Sequence, residues 1–114
     1  MKTILYATDY SKNSELALKF AYNISRKIKA KLWVIHVFDY PILLHDISLK
    51  PEVAFPDIIG NNFKKHNSKL NAFCERVLKR DIATLNIEVE AIENKSVVKG
   101  INVKAITVDA YFIV

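Results

Sequence analysis

Apolar runs of two different periods alternate along this chain, and that alternation leaves few folds open to it. Thr3–Ala7 (TILYA) is a short β-rich run closed by Thr8-Asp9 and reads as a buried strand. Leu32–Phe38 (LWVIHVF) is almost continuously apolar, as a central strand covered on both faces would be. Asn86–Asn94 alternates Ile87, Val89 and Ala91 with Glu88 and Glu90 until Ile92 breaks the pattern, which fits an outer strand with one wet face. Ala110–Val114 (AYFIV) is again strand-like.

Between these runs the period changes to helical. From Ser14 onward Ala17, Phe20, Ala21, Ile24 and Ile28 fall three or four apart and predict one apolar helix face. Ser11 can cap the first turn, Glu15 suits the positive end of the helix dipole, and Arg26, Lys27, Lys29 and Lys31 crowd the other end. A second helix is predicted from about Asp57 to Leu85, with Ile59, Phe63, Leu70, Phe73, Cys74, Val77 and Leu78 inward. Residues 42–53, with Pro51 and then Pro56 beyond, read as an irregular connection. Ser96 can cap a third helix facing inward with Val97, Ile101, Ala105 and Val108, and Gly100 within it implies close packing or a local bend. The order β-α-β-α-β-α-β predicts an α/β fold, an open parallel sheet with right-handed crossovers and helices on both faces.

Composition removes several functions. One cysteine, Cys74, excludes an internal disulfide and any multi-cysteine metal site. Two glycines, Gly60 and Gly100, exclude a glycine-rich phosphate loop within these residues. The net charge of +5 is spread evenly, 8 basic and 6 acidic residues in 1–57 against 9 and 6 in 58–114. Nothing therefore points to nucleic acid. No apolar run reaches the ~20 residues that span a bilayer, and none resembles a signal-peptide core. No membrane partner is expected, and a reduced cytoplasmic setting is the default expectation.

In open α/β sheets ligands bind beyond the carboxyl ends of the strands, at the point where the connections change direction. The first two predicted strands end at Ala7-Thr8-Asp9 and at Val37-Phe38-Asp39. Those two ends supply the candidate site.

At these residues the chain resembles the universal stress protein family. ILYATDYSKNSELALKFA (Ile4–Ala21) is similar to that family's first strand, Thr-Asp turn and Ser-x-x-Ser-x-x-Ala helix start. HVFDYP (His36–Pro41) is similar to the end of its second strand, and SVVKGINVKAITVDAYFIV (Ser96–Val114) resembles its third helix and fourth strand. One departure is that Asp109 follows Ile106 almost at once, where the family has more helix. The resemblance implies a single domain over residues 1–114 with strand order 3-2-1-4, Rossmann-like, ending before the family's fifth strand and last helix. It also implies descent from adenine-nucleotide binders. By resemblance Asp9 would accept from the adenine amine and Val37 would pack on the base, with Ala7 and Thr8 beside them. The family's Gly-x2-Gly-x9-Gly-Ser/Thr phosphate motif, which follows the fourth strand, has no counterpart here.

Simpler readings stand beside these. Asp9 serves equally well as a turn and helix-entry residue. His36 reads as a satisfied core histidine, His45 and His66 as isolated and solvated, Cys74 as a small core hydrophobe and Trp33 as packing. Ser11 and Ser14 have no base placed to activate them, so no nucleophile is expected. An enzyme of the related nucleotide-activating α/β group would need a His-x-x-His or glycine-rich motif after the first strand, and Tyr10–Ser14 supplies neither. The expected protein is a non-enzymatic interaction module in a stress response, binding ATP or another adenine nucleotide weakly and forming a homo-oligomer. The alternative is a nucleotide module whose phosphate loop comes from further C-terminal residues or a partner.

Overall fold

Four parallel strands carry the chain: β1 (Thr3–Ala7), β2 (Lys31–Phe38), β3 (Ile87–Glu93) and β4 (Phe112–Ile113), in the order β3-β2-β1-β4. They are seen in a computed structural model that describes residues 2–39 and 55–114, with side chains described for 2–39 and 63–114. The expected α/β sheet and its strand order are both present. β1 pairs with β2 from Thr3↔Lys31 to Ala7↔Ile35, β2 with β3 from Leu32↔Ile87 to Phe38↔Glu93, and β1 with β4 at Ile4↔Phe112 and Leu5↔Ile113. β4 is shorter than the apolar run Ala110–Val114, although Tyr111 and Val114 also donate their backbone N–H groups to Thr3 and Leu5 of β1.

Side chains alternate across the sheet as a strand requires. Ile4, Tyr6, Leu32 and Val34 face α1 (Lys12–Lys27) and α2 (Phe55–Leu78), which bury Leu18, Ala21, Leu70, Phe73, Cys74 and Val77 against them. Leu5, Ile35 and Val37 face the other way, against Ile101 and Ala105 of α3 (Val97–Thr107). Burial in the larger cluster pushes the Cys74 thiol up to about 12, so it is protonated and inert, the small hydrophobe expected.

The helix ends follow their caps. The Ser11 hydroxyl accepts from the Ser14 N–H at 3.1 Å, and the Ser96 hydroxyl from the Lys99 N–H at 3.2 Å. Lys29, Lys79 and Asp109 close the three helices with φ of 56°, 55° and 52°, the left-handed turn that glycine usually supplies. Lys79 is why α2 stops at Leu78 rather than at the expected Leu85. The chain reverses there, and the Asp81 side chain caps a separate 3-10 turn, Ile82–Thr84, before β3.

Three expectations about helix faces need correction. On α1, Phe20 is 58% exposed and Ile28 is exposed too, while Ser14, Leu18, Tyr22 and Ser25 are buried beside Ala21. The inner face is rotated because Tyr6 and the Thr8 turn recruit the Ser14 hydroxyl inward. Val97 stands at the first turn of α3 and is exposed, at the rim of the space beyond the strand ends. His66 is not isolated: half-buried, its ring stacks on Phe38 at 4.0 Å, and desolvation pulls its pKa below the ordinary value, with His36, Lys69 and Lys65 adding to the effect. Trp33 is packing, with the Lys104 and Lys31 amines 4.6 and 5.3 Å from its ring centre. His45, the expected connection 42–53, Ile59 and Gly60 lie outside the described residues or their side chains.

Candidate functional site

The site is built on the turn that leads from β1 into α1. Thr8 lies one residue past the last paired position, and its N–H still reaches the Ile35 carbonyl at 3.0 Å. Its hydroxyl accepts from the Tyr10 N–H at 3.0 Å and shares a hydrogen bond with the Ser14 hydroxyl, which in turn bonds the Tyr6 hydroxyl. Tyr6, Thr8 and Ser14 thus form a buried hydroxyl cluster beneath the turn, with the Tyr6 phenol also donating to the Ser14 carbonyl. Burial raises the Tyr6 pKa, so the phenol stays protonated.

Asp9 stands exposed above that cluster. Its Oδ1 accepts from the Ser11 N–H at 2.9 Å. Hydrogen bonds from the Ser11 hydroxyl and amide hold the carboxyl below its ordinary value, so it is charged at neutral pH and can only accept. Asp9 is therefore a turn residue. The same carboxylate is exposed at the edge of the fold.

Beside it opens a cleft of about 410 Å³ at the carboxyl ends of β1 and β2. Ala7, Thr8, Asp9 and Val37, the four residues that the family resemblance singles out from the two strand ends, all line it, while Phe38 and Asp39 are not among its lining residues. His36, Ile101 and Val114 line it too, so β2, α3 and the end of the β4 run form its walls. The apolar wall depends on one close approach: a Cβ on Gly100 would stand 2.9 Å from Val37 Cγ1. Only a glycine lets α3 lie this near β2, which is the close packing expected of it.

Sequence reasoning missed three contributors. The Tyr6–Ser14 pairing spans eight residues and joins a strand to a helix, so no local pattern announces it. His36, read as a satisfied core residue, is satisfied through the Thr8 carbonyl at 2.8 Å and thereby belongs to the site. Tyr10 adopts φ 66° with a buried hydroxyl, and burial pushes that phenol up to about 12. The only sequence signal for Tyr10 was its place directly after Asp9. Among the described residues no group of three His, Cys, Asp or Glu side chains could hold a metal ion. No described helix is long and apolar enough to cross a membrane.

Comparison with known proteins gives a consistent picture. The model of the universal stress protein family matches residues 1–107. Among solved structures, a universal stress protein from Archaeoglobus fulgidus superposes with a TM-score of 0.65 at 19% identity, covering 99% of this chain and 73% of its own. A member of that family from Burkholderia pseudomallei gives 0.67 at 18%, covering 98% and 78%. The Archaeoglobus fulgidus protein in complex with dAMP gives 0.61 at 22%, covering 99% and 78%. A universal stress protein in complex with cAMP gives 0.60 at 18%, covering 98% and 69%. No curated protein sequence matches the chain.

Proposed function

Since the chain belongs to the universal stress protein family, we propose that its cleft receives the base and sugar of an adenine nucleotide, with Asp9 accepting from the adenine amine. Ala7 and Thr8 border the base and Val37 packs against it. The observation that carries this reading is the convergence of those four residues on one cleft of about 410 Å³, a size suited to a nucleoside. The complexes of two similar proteins with dAMP and cAMP support it.

The phosphates receive little. The 114 residues hold two glycines and no spaced glycine motif, so they lack the sequence pattern of a glycine-rich phosphate loop. Binding is weak, in the cytoplasm, and serves an interaction module rather than an enzyme. Among the described residues the Ser14 hydroxyl bonds the hydroxyls of Tyr6 and Thr8, and neither is a base at neutral pH. The module assembles with a second copy through the β4 edge, where Tyr111 and Ile113 are exposed and carry no charge.

Selectivity for the base tests the reading. AMP is expected to bind roughly tenfold more tightly than inosine monophosphate, which has a carbonyl in place of the amine, because a charged acceptor discriminates by about 1.5 kcal/mol. Asp9→Ala should erase that difference while leaving the midpoint of urea unfolding close to that of the parent protein. Equal affinity of the parent protein for the two nucleotides would remove Asp9 from the adenine site.

A further inference from the structure

Of the four described residues that adopt positive φ without being glycine, three close helices, and the fourth, Tyr10, immediately follows Asp9. A tyrosine in the left-handed region persists only where its surroundings hold it. Most of what holds this turn is local: Thr8 Oγ1 to the Tyr10 N–H, and Asp9 Oδ1 to the Ser11 N–H. His36 reaches it from 28 residues away, on the neighbouring strand.

The imidazole touches the turn at two points, and they fall on either side of Asp9. Its Nδ1 lies 2.8 Å from the Thr8 carbonyl oxygen. A carbonyl only accepts, so Nδ1 carries the proton and donates. Its ring centre lies 4.6 Å from that of Tyr10, tilted by 47°. Tyr10 is backed in turn by the edge of Phe73 at 5.3 Å, and His36 by His66 of α2 at 5.9 Å. The ring cannot swing away without disturbing α2.

We infer that His36 is a positioning residue of the cleft: by holding Thr8 through its carbonyl, it fixes the direction in which the Asp9 carboxylate faces the adenine amine. The inference rests on the adenine reading above. It adds that the carboxylate's aim is set from β2, the same strand whose Val37 packs on the base. One strand thereby fixes both the apolar and the polar half of base recognition. His36 touches the turn rather than the reacting partner, so its contribution lies in geometry.

Two variants separate the contacts. His36→Phe keeps a ring against Tyr10 and removes the donor; His36→Asn keeps an N–H at the Nδ1 position and removes the ring. Backbone ¹⁵N relaxation of Asp9 and Tyr10 is expected to show order parameters of ~0.85 in the parent and in His36→Asn, falling toward ~0.6 in His36→Phe. AMP affinity should fall roughly tenfold in His36→Phe and stay within about threefold in His36→Asn. Circular dichroism melts confirm that each variant folds, and ¹⁵N shifts of the imidazole report the Nδ1–H tautomer directly. Unchanged order in His36→Phe would overturn the inference, as would a loosened turn that leaves AMP affinity intact. If the parent protein fails to bind AMP, the adenine reading fails, while the relaxation data still decide whether His36 holds the turn.

Discussion

The two faces of the sheet are finished to different degrees. Under α1 and α2, thirteen described residues are buried in one cluster, from Ile4 to Ile82. Under α3 the corresponding cluster has three, Leu5, Ile35 and Val37, with Ile101, Ala105 and Ala110 only partly covered. Apolar side chains on the second side stay in water: Val98 is 66% exposed, Ile106 81% and Tyr111 58%. The first face holds the fold together. The second forms the apolar wall of the cleft and leaves the β4 edge open. The larger core and the apolar wall of the cleft thus lie on opposite sides of one sheet, joined at the β1 tip where Thr8 and Asp9 sit.

The largest effect that would break this contrast comes from truncating matched side chains on the two faces. Leu70→Ala, fully buried against β1 and β2, is expected to cost about 2–5 kcal/mol in urea unfolding. Ile101→Ala, half-buried on the other side, should cost about 1 kcal/mol. Equal losses would mean that the α3 face is as closed as the first.

A smaller effect sharpens the role of the second face. Gly100→Ala brings a Cβ to 2.9 Å from the stiff Val37 side chain. Overpacking of about 1–3 kcal/mol is expected to outweigh the ~1 kcal/mol that alanine gains in helix propensity. Adding Val37→Ala should return part of the loss, because the two share one contact. A Gly100→Ala protein more stable than the parent would show that α3 stands further from β2.

The open edge offers the third test, with almost no effect on folding. Light scattering over a dilution series is expected to show a dimer or larger assembly that becomes monomeric on replacing both Tyr111 and Ile113 with lysine, at a stability cost within about 0.5 kcal/mol. A parent protein that stays monomeric at high concentration would remove this edge as an interface.

What the sequence disclosed and what it concealed divide along the same lines. The strands were legible because Thr3–Ala7 and Leu32–Phe38 are buried on both faces and contain few polar residues to blur the run. The caps at Ser11 and Ser96 were legible because capping is local, set by a hydroxyl and an N–H three residues on. The end of α2 was hidden because Lys79 adopts a conformation that its side chain does not advertise. The rotation of α1 was hidden because Ser14, a polar residue, is drawn inward by Tyr6 and Thr8. In the site, the rule that strand ends bind ligands pointed to the two ends at Ala7–Asp9 and Val37–Asp39, and the family resemblance singled out Ala7, Thr8, Asp9 and Val37 among them. His36 was not singled out, since its partner is a backbone carbonyl on another strand and leaves no mark on the residue pattern.

The central claim is that this cleft recognises a base and not its phosphates, and calorimetric titration of one preparation with AMP, ADP and ATP tests it most directly. Weak binding of equal strength for all three is the expected result. Micromolar affinity for ATP, with AMP clearly weaker, would contradict it and would mean that phosphate contacts come from a further segment or a partner.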